Sequence, residues 1–203
     1  MLNEKYRFSL LILAAGQSQR FAPGHKLITP FKGKPLIRHL IDECRTINFH
    51  ERIIILGHAA ETLRPVLPET DLILIENKNF QLGMSTSIVT GVTALSSTCD
   101  AVFICPADMP FIQAAHFNAL ATAFDPENGK HICIPVYKGQ QGHPVLFSKQ
   151  YFSALKNLHG DQGARSILKT AETKTAQVEV PTNTIHIDLD TKQDFEKNES
   201  RTL

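Results

Sequence analysis

Short runs of apolar residues alternate along the chain with segments in which apolar residues recur every three or four positions. The runs are rich in Ile, Leu and Val and span residues 9–14, 52–56, 72–75, 101–105 and 132–136. Uninterrupted apolar runs of this length are typical of parallel strands that are covered on both faces. The pattern therefore predicts five buried strands that lie parallel to one another.

Helical spacing of apolar residues is found in three segments between these runs. The first covers residues 36–44 and places Pro35 at the first helical position. The second covers residues 88–95, with Ser85 as its expected N-cap, and the third covers residues 117–124. This alternation of strands and helices indicates an α/β fold in which a mostly parallel central sheet lies between two layers of helices.

The pattern becomes less regular after the fifth apolar run. We expect a turn-rich excursion, a short strand, two helices and a last strand, at residues 138–142, 144–147, 150–158, 164–170 and 185–188 respectively. No repeat, low-complexity segment or linker divides the chain. We interpret it as one domain over residues 1–203, with an inserted substrate-binding region at 138–165.

Composition and charge agree with this interpretation. The chain has 203 residues, of which 42% are hydrophobic and 20% charged, and domains of this size can bury a substantial core. The formal net charge of +1 predicts neither nucleic acid nor an acidic membrane as a partner, because both are bound by strongly basic surfaces. No apolar run approaches the ~20 residues of a membrane span. A cytoplasmic protein is expected.

The cysteines and the N-terminal segment bear on the same compartment. The four cysteines form no CxxC pair and have no metal-ligand spacing, so we expect reduced, buried thiols at Cys44, Cys99, Cys105 and Cys133. Near the N-terminus, basic Lys5 and Arg7 precede an apolar run, which also resembles a short signal peptide. Acidic Glu4 disfavours that alternative, and the run is better explained as the first strand.

Three polar clusters follow predicted strands, at the edge where open parallel sheets bind their ligands. The first extends through Ala14, Ala15, Gly16, Gln17, Ser18, Gln19 and Arg20 to Gly24-His25-Lys26. Small residues let backbone N–H groups approach phosphate oxygens, while Ser18, Arg20 and Lys26 supply donors and positive charge. The segment is neither a Walker A loop nor a GxGxxG fingerprint. The alternative is a glycine turn with solvated cations.

The second cluster centres on Asp108, which follows the fourth apolar run between Pro106 and Pro110. A carboxylate in a loop that prolines stiffen is well placed to hold Mg²⁺, which takes one or two protein carboxylates together with substrate phosphates. The alternative is that Asp108 caps a helix that begins near Ile112. Both roles are compatible with the position of Asp108 after a strand.

The third cluster follows the last predicted strand. Asp188 and Asp190 would project to one side of that strand, because strand side chains alternate with a period of two. One of them could be the second metal carboxylate. Alternatively, Asp190 or Thr191 caps the final helix, where Thr191 and Asp194 have the spacing of a capping box. We expect Asp194 to serve that helix alone.

Five motifs occur in an order that resembles the MobA-like NTP transferases, and most closely the molybdenum cofactor cytidylyltransferases. They are Leu13-Ala14-Ala15-Gly16-x-Ser18-x-Arg20 with Lys26-Leu27, Gly83-Met84-Ser85-Thr86-Ser87, Ala107-Asp108-Met109-Pro110, Gly142-His143-Pro144 and Asp188-x-Asp190-Thr191. The resemblance covers residues 8–197. It implies a Rossmann-like nucleotidyltransferase fold and a reaction in which the cofactor phosphate attacks the α-phosphorus of CTP and releases pyrophosphate.

The resemblance also implies residue roles. Arg20, Lys26 and Asp108 would be catalytic, and Asp108 and Asp190 would hold Mg²⁺. The implied nucleotide-binding residues are Leu13, Ala14, Ala15, Gly16, Gln17, Ser18, Arg20, Lys26, Gly83, Met84, Ser85, Ser87 and Ala107. The implied acceptor-binding residues are Gly142, His143, Pro144, Asp161 and Arg165. A lone histidine such as His143 is more often structural than catalytic, so its role stays open.

The choice of base and the rival functions depend on fewer residues. Relatives that use GTP tend to carry Leu-Ala-Gly-Gly, and the methyl group of Ala15 should disfavour a purine, while Gly142-His143-Pro144 favours CTP over UTP. The implied partner enzyme is a molybdenum hydroxylase of the xanthine dehydrogenase type. A non-catalytic carrier of the molybdenum cofactor would need no metal carboxylate, and an NAD(P)H-dependent reductase of a heterocycle would be expected to carry GxGxxG.

Overall fold

The apolar runs of the sequence form the strands of a central sheet. The computed structural model describes residues 2–21, 23–69, 71–161 and 163–201. Its strands are β1 (Phe8–Ala14), β2 (Pro30–Phe31), β3 (Lys34–Pro35), β4 (Glu51–Leu56), β5 (Ile73–Glu76), β6 (Ala101–Pro106), β7 (Ile132–Tyr137), β8 (Gln140–Gln141), β9 (Val145–Ser148) and β10 (Thr175–Glu179). The two shortest of the early strands, β2 and β3, pair only with each other.

The helices connect these strands and cover the sheet. They are α1 (Leu36–Arg45), α2 (Ala60–Leu63), α3 (Met84–Ala94), α4 (Ala114–Ala123), α5 (Phe152–Lys156), α6 (Arg165–Thr170) and α7 (Lys192–Asn198). Short 3₁₀ helices complete the chain, and those at Lys26–Ile28 and Asn183–His186 lie next to polar clusters that the sequence singles out.

The sheet is mostly parallel, with β1 near its centre. The strand order is β10-β7-β9-β6-β1-β4-β5, and β8 pairs with β7. Strand β1 runs parallel to both β4 and β6, so that Ile12 lies beside Ile54 and Cys105. Strand β9 runs antiparallel to both of its neighbours, β6 and β7. The carboxyl ends of β1, β4 and β6 therefore meet at one edge of the sheet, as the alternating sequence predicts.

Side chains that alternate along β1 separate the core into two layers. Leu10 and Ile12 point into a cluster shared with α1 and α4, whereas Leu11 points into a cluster shared with α3. Each of these three side chains is at most 1% exposed. A sheet that is buried on both faces needs strands that are almost entirely apolar, and the runs in the sequence accordingly carry polar residues only at their first positions, Ser9 and Arg52.

Two predicted element boundaries are wrong. Helix α3 begins at Met84 with Gly83 as its N-cap, so Ser85 lies inside the helix instead of capping it. The N–H of Met84 donates instead to Asp161 Oδ1 at 3.0 Å. Pro35 is the N-cap of α1, one position before the expected one. A cap that comes from a distant segment leaves no local sequence signal.

The end of the chain also differs from the prediction. The predicted strand at 185–188 is a 3₁₀ helix at Asn183–His186 followed by irregular backbone. A strand that the apolar pattern missed, β10, lies at the edge of the sheet and pairs in parallel with β7. Its residues are partly or fully exposed, and Thr175, Gln177 and Glu179 interrupt its apolar residues, so no continuous apolar run marks it. Strand β5, at the other edge, has an apolar run but is also partly or fully exposed, so the expected burial of that strand is wrong. The capping box of Thr191 and Asp194 at α7 is confirmed.

The helices and the cysteines bear on membrane insertion and on disulfide formation. None of the helices in the described ranges has the length and apolar character that crossing a membrane requires. All four cysteines are buried and free, as expected. Burial raises the pKa of Cys133 to about 12 and also raises the pKa of Cys44, so these thiols stay protonated at neutral pH.

Phe103 on β6 provides a test of the core. Its ring packs against those of Phe8, Phe49 and Phe117, with centroid distances of 5.7, 5.8 and 5.3 Å. We expect Phe103→Ala to lower the free energy of unfolding by about 3–5 kcal/mol, because it removes buried area and leaves a cavity. Leu82→Ala is the control, since Leu82 is 68% exposed. This variant should change the free energy of unfolding by less than about 0.5 kcal/mol. Urea denaturation measures both, and an equal effect of the two variants would contradict this description of the core.

Candidate active site

A cleft of about 1220 Å³ opens at the carboxyl ends of β1 and β6. Its lining comes from the loop after β1, the N-terminal end of α3, the loop after β6 and the segment that precedes α7. Sites for one small molecule commonly measure ~300–1,000 Å³. This cleft is larger, so it has room for two substrates at once.

The loop after β1 presents free backbone donors to this cleft. Residues 13–20 line it, and among the described residues the N–H groups of Gly16, Gln17 and Ser18 make no hydrogen bond. A Cβ added at Gly16 would meet no atom within 4 Å, so the space beside Gly16 is open. Ser18 has a φ of 51°, a left-handed conformation that is uncommon outside glycine. Unpaired N–H groups around an open space are suited to phosphate oxygens.

Three carboxylates gather opposite this loop. One oxygen from each of Asp108, Asp188 and Asp190 lies within 4.8 Å of the others. The N–H of Leu189 donates to the carbonyl of Asp108 at 3.0 Å, and this bond holds the two segments side by side. The predicted aspartates therefore come together, although the 3₁₀ helix replaces the strand that was expected to align them.

Two cations contact the carboxylates. The ammonium of Lys26 is hydrogen-bonded to both Asp108 and Asp190, and the guanidinium of Arg20 contacts Asp190. The Lys26 side chain is 12% exposed, whereas that of Arg20 is 74% exposed. Burial alone would lower the pKa of Lys26, but Asp108 and Asp190 outweigh it and raise the pKa above its ordinary value. Lys26 is therefore charged at neutral pH.

The carboxylates fit a divalent cation. Oδ1 of Asp108 is buried and has no hydrogen-bond partner in the described ranges, so it is free to be a ligand. Desolvation, together with the charges of Asp108 and Asp190, raises the pKa of Asp188. Carboxylates that crowd in this way repel one another, and oxygen ligands of this type are those that Mg²⁺ and Mn²⁺ prefer.

Two histidines also line the cleft. Nδ1 of His143 is buried without a partner among the described residues, and burial lowers the pKa of His143 to about 4. Nε2 of His186 lies 3.0 Å from the carbonyl of Gln140, and His186 was not singled out in the sequence. The N–H of His143 donates to the Ile185 carbonyl at 3.0 Å. Gly142 is required here, because a Cβ would lie 2.5 Å from that carbonyl oxygen.

Two loops that line the cleft are tied to each other. Besides the Asp161 contact with α3, the N–H of Ser85 donates to the Gly160 carbonyl at 3.2 Å. The Ser85 hydroxyl donates to the His159 carbonyl at 3.2 Å. Gly83 has a φ of 106°, and a Cβ there would lie 2.7 Å from the Gly160 oxygen. One of the two carboxylate oxygens of Asp161 is thus engaged with the protein backbone, although Asp161 was expected to contact an acceptor.

Most of the site residues expected from the sequence line the cleft. Three do not, namely Ser85, Ala107 and Pro144, which are buried behind it. Four further lining residues fall in or next to segments that the sequence had marked, since Gln141 lies in the expected substrate-binding region and Phe80, Gln81 and Leu82 directly precede Gly83. Ile185 and His186 also line the cleft, but they had no functional signal because they fall in a segment that was predicted to be a strand.

The alternative capping roles are now resolved. Helix α4 begins at Ala114, and its capping box is formed by Gln113 and His116, so Asp108 does not cap it. Thr191 and Asp194 cap α7. The carboxylate of Asp190 instead points to Lys26 and Arg20.

The chain is similar to known proteins both in sequence and in structure. A family model described as the MobA-like NTP transferase domain matches residues 10–178. The bifunctional protein GlmU of Dechloromonas aromatica (strain RCB) is 31% identical over 116 residues, which are 57% of this chain and 25% of that protein. The chain spans 24% of the length of GlmU from Brevibacillus brevis (strain 47) and 41% of that from Desulfotalea psychrophila (strain LSv54).

The fold is similar to that of Rv0371c from Mycobacterium tuberculosis H37Rv, with a TM-score of 0.83, 21% identity, and coverage of 95% of this chain and 97% of that chain. A complex of Rv0371c with manganese gives a TM-score of 0.79 at 22% identity, over 97% of this chain and 100% of that one. CMP:2-keto-3-deoxy-manno-octonic acid synthetase complexed with CTP gives 0.73 at 12% identity, over 95% and 97%. These similarities confirm the expected three-layer, Rossmann-like fold.

The environment of His143 predicts a pH dependence of stability. Its pKa lies near 4 in the folded chain and near 6.5 ordinarily, so between these values the unfolded chain binds a proton that the folded chain does not. Stability is therefore complete above about pH 6.5 and falls as the pH drops towards about 4. When the pH is lowered from about 7.5 to about 4.5, the free energy of unfolding of His143→Gln should fall by about 2 kcal/mol less than that of the unsubstituted chain.

Urea denaturation at several pH values measures this difference. His50→Gln, which replaces an exposed histidine, is the matched control and should keep the slope of the unsubstituted chain. An unchanged slope in His143→Gln would mean that the imidazole is solvated in the folded protein.

Proposed function

Because the chain belongs to the MobA-like NTP transferase family, we propose that it transfers CMP from CTP to the phosphate of the molybdenum cofactor and releases pyrophosphate. One observation supports this proposal above the others: free backbone donors, two cations and three carboxylates line a single cleft. Transfer between two phosphate groups needs charge neutralisation and positioning more than a protein nucleophile.

Lys26 and Arg20 bind the triphosphate in this proposal. In the structure both cations contact carboxylates, so phosphate oxygens would replace some of those contacts when CTP enters. The N–H groups of Gly16, Gln17 and Ser18 bind the same phosphates from the other side. Arg20 is largely exposed and can follow the departing pyrophosphate, whereas buried Lys26 stays beside the reacting phosphate.

Asp108 and Asp190 hold the divalent cation, with Asp188 as a further candidate ligand. We propose Mg²⁺, because it binds through one or two carboxylates together with substrate phosphates. When bound, the ion would neutralise charge on the phosphates of the nucleotide. The manganese complex of the similar protein Rv0371c supports the use of a divalent cation here.

The choice of a pyrimidine depends on Ala15. Its side chain is 6% exposed and lines the cleft. A Cβ at Gly57 would lie 2.7 Å from Ala15 Cβ, so the methyl group already fills the gap beside β4. Less room remains for a two-ring base. The structural similarity to a synthetase complexed with CTP is consistent with cytosine.

In this proposal the acceptor binds around His143 and Arg165. Arg165 is exposed at the first turn of α6 and lines the cleft, where it can bind an anionic acceptor. We assign residues 138–165 of this one domain to acceptor binding. The partner that receives the product would be a molybdenum hydroxylase of the xanthine dehydrogenase type. A carrier without activity would not need the cluster of Lys26 and three carboxylates.

Pyrophosphate release tests the function directly. The protein is incubated with each of four NTPs, Mg²⁺ and the molybdenum cofactor, and pyrophosphate is measured. We expect release with CTP that depends on both the metal and the cofactor. Cofactor binding without pyrophosphate release would favour the carrier, and oxidation of NAD(P)H with a heterocycle would favour the reductase.

Asp108→Asn tests the carboxylate cluster. Loss of one preorganised electrostatic group typically costs about 10²–10³ in turnover, and we expect a loss of that size with the fold preserved. Asp42→Asn is the matched control, because Asp42 also pairs with a lysine and an arginine, Lys34 and Arg38, but lies outside the cleft. Turnover close to that of the unsubstituted enzyme in a folded Asp108→Asn variant would remove Asp108 from the mechanism.

Nucleotide selectivity gives a test without the acceptor. A ligand that binds only the folded state raises stability with the ratio of its concentration to Kd. With Mg²⁺, CTP should therefore raise the melting temperature more than GTP at equal concentration. Ala15→Gly should reduce that difference, because it removes the methyl group. Stabilisation by GTP that equals or exceeds that by CTP would contradict the cytidylyl assignment.

A further inference from the structure

His25 lies directly behind the loop of residues 15–18. The side chain is 7% exposed, and its Nε2 lies 3.2 Å from the carbonyl oxygen of Gly16. A carbonyl can only accept a hydrogen bond, so Nε2 carries the proton. The other ring nitrogen, Nδ1, is buried and has no partner among the described residues. The ring therefore presents a single donor, and that donor is directed at the loop.

The ring supplies this donor without adding charge. Burial lowers the pKa of His25, and the nearby Lys26 and His58 lower it further against the effect of the Gly16 hydrogen bond. A neutral imidazole next to Lys26 leaves the charge balance of the cleft to Lys26, Arg20 and the carboxylates.

The hydrogen bond determines which way one peptide group faces. In a trans peptide the C=O of one residue and the N–H of the next point in opposite directions. His25 is not part of the cleft lining, so the Gly16 carbonyl that it binds is directed away from the cleft. The N–H of Gln17 is therefore directed towards the cleft. The Ala15 carbonyl similarly accepts from His58 N at 3.5 Å, which directs the Gly16 N–H the same way.

The backbone of His25 also positions Lys26. The His25 carbonyl accepts from Ile28 N at 3.2 Å and from the Thr29 hydroxyl at 3.1 Å, and these bonds start the 3₁₀ helix Lys26–Ile28. Side chains of adjacent residues then diverge, with His25 behind the loop and Lys26 in the cleft. The dipeptide His25-Lys26 thus positions two groups that face the same phosphates, the Gln17 N–H and the Lys26 ammonium.

We propose that His25 is a positioning residue for phosphate binding, which fixes the peptide between Gly16 and Gln17 so that the Gln17 N–H faces the triphosphate. The inference rests on the proposed function, since the phosphates are those of the nucleotide. His25 itself does not touch them. A glycine at residue 16 makes this fixing necessary, because glycine peptides rotate more freely than others.

Three variants and inorganic triphosphate test the inference. His25→Phe keeps an aromatic ring and removes the donor, while His25→Gln keeps a donor on a flexible side chain. His39→Phe is the matched control, because His39 is also buried and its Nε2 lies 2.8 Å from a backbone carbonyl, that of Phe31, away from the cleft. Binding of triphosphate with Mg²⁺ is measured by titration calorimetry, and unfolding is monitored in parallel.

We expect His25→Phe to weaken triphosphate binding about tenfold, the effect of losing one oriented hydrogen bond. His25→Gln should recover most of the affinity, and His39→Phe should bind as the unsubstituted chain does despite its own loss of stability. In turnover, His25→Phe should raise KM for the nucleotide and leave KM for the acceptor unchanged. A role in stability alone would affect His25→Phe and His39→Phe alike.

The outcomes separate this inference from the proposed function. Unchanged triphosphate affinity in folded His25→Phe would overturn the role of His25 and leave the function standing. Triphosphate binding by the unsubstituted chain without turnover of any NTP would contradict the proposed function. The triphosphate affinities of the variants would still test the role of His25. Absence of triphosphate binding by the unsubstituted chain would overturn both. If His25→Phe does not fold, His25→Met, which also lacks the donor, provides the same comparison.

Discussion

The partly buried ammonium of Lys26, held between Asp108 and Asp190, is the interaction on which the cleft depends. Three carboxylates in so small a space repel one another, and only the positive charges of Lys26 and Arg20 offset that repulsion within the described residues. Charges that are only partly solvated interact more strongly than they would in water. The same arrangement leaves a strong local field for ligands that carry both a divalent cation and phosphates.

The parallel sheet explains how distant parts of the sequence contribute to this cluster. Lys26 follows β1 and Asp108 follows β6, and these two strands are neighbours. Asp190 arrives from the end of the chain and is held by the hydrogen bond between Leu189 and Asp108. The strands position two of the three segments, whereas a single backbone contact positions the third. The antiparallel strand β9 next to β6 brings the His143 loop to the same edge.

Features that depend on local composition could be predicted from the sequence, and features that depend on distant contacts could not. The apolar runs gave the strands to within about two residues, the usual error of such boundaries, but β5 is a partly exposed edge strand and not a buried one. The cap of α3 was wrong because Asp161, 77 residues beyond Met84, supplies it. Edge strand β10 was missed because polar Thr175, Gln177 and Glu179 interrupt its apolar residues. Asp108 was predicted from its position after a strand, and Asp190 from its position after a segment that is a 3₁₀ helix instead. His186 and Phe80 lie in short 3₁₀ helices that carry no motif.

The attachment of residues 159–161 to the start of α3 limits how this protein can change its specificity in evolution. A transplanted acceptor loop from another transferase would have to keep a carboxylate at 161, to receive the Met84 N–H, and a carbonyl at 160 that accepts from Ser85. A side chain at residue 83 would clash with the backbone of Gly160, so the junction also requires Gly83. Loop exchange between relatives should therefore succeed when both partners of the junction are exchanged together, so that the two segments are inherited as one unit.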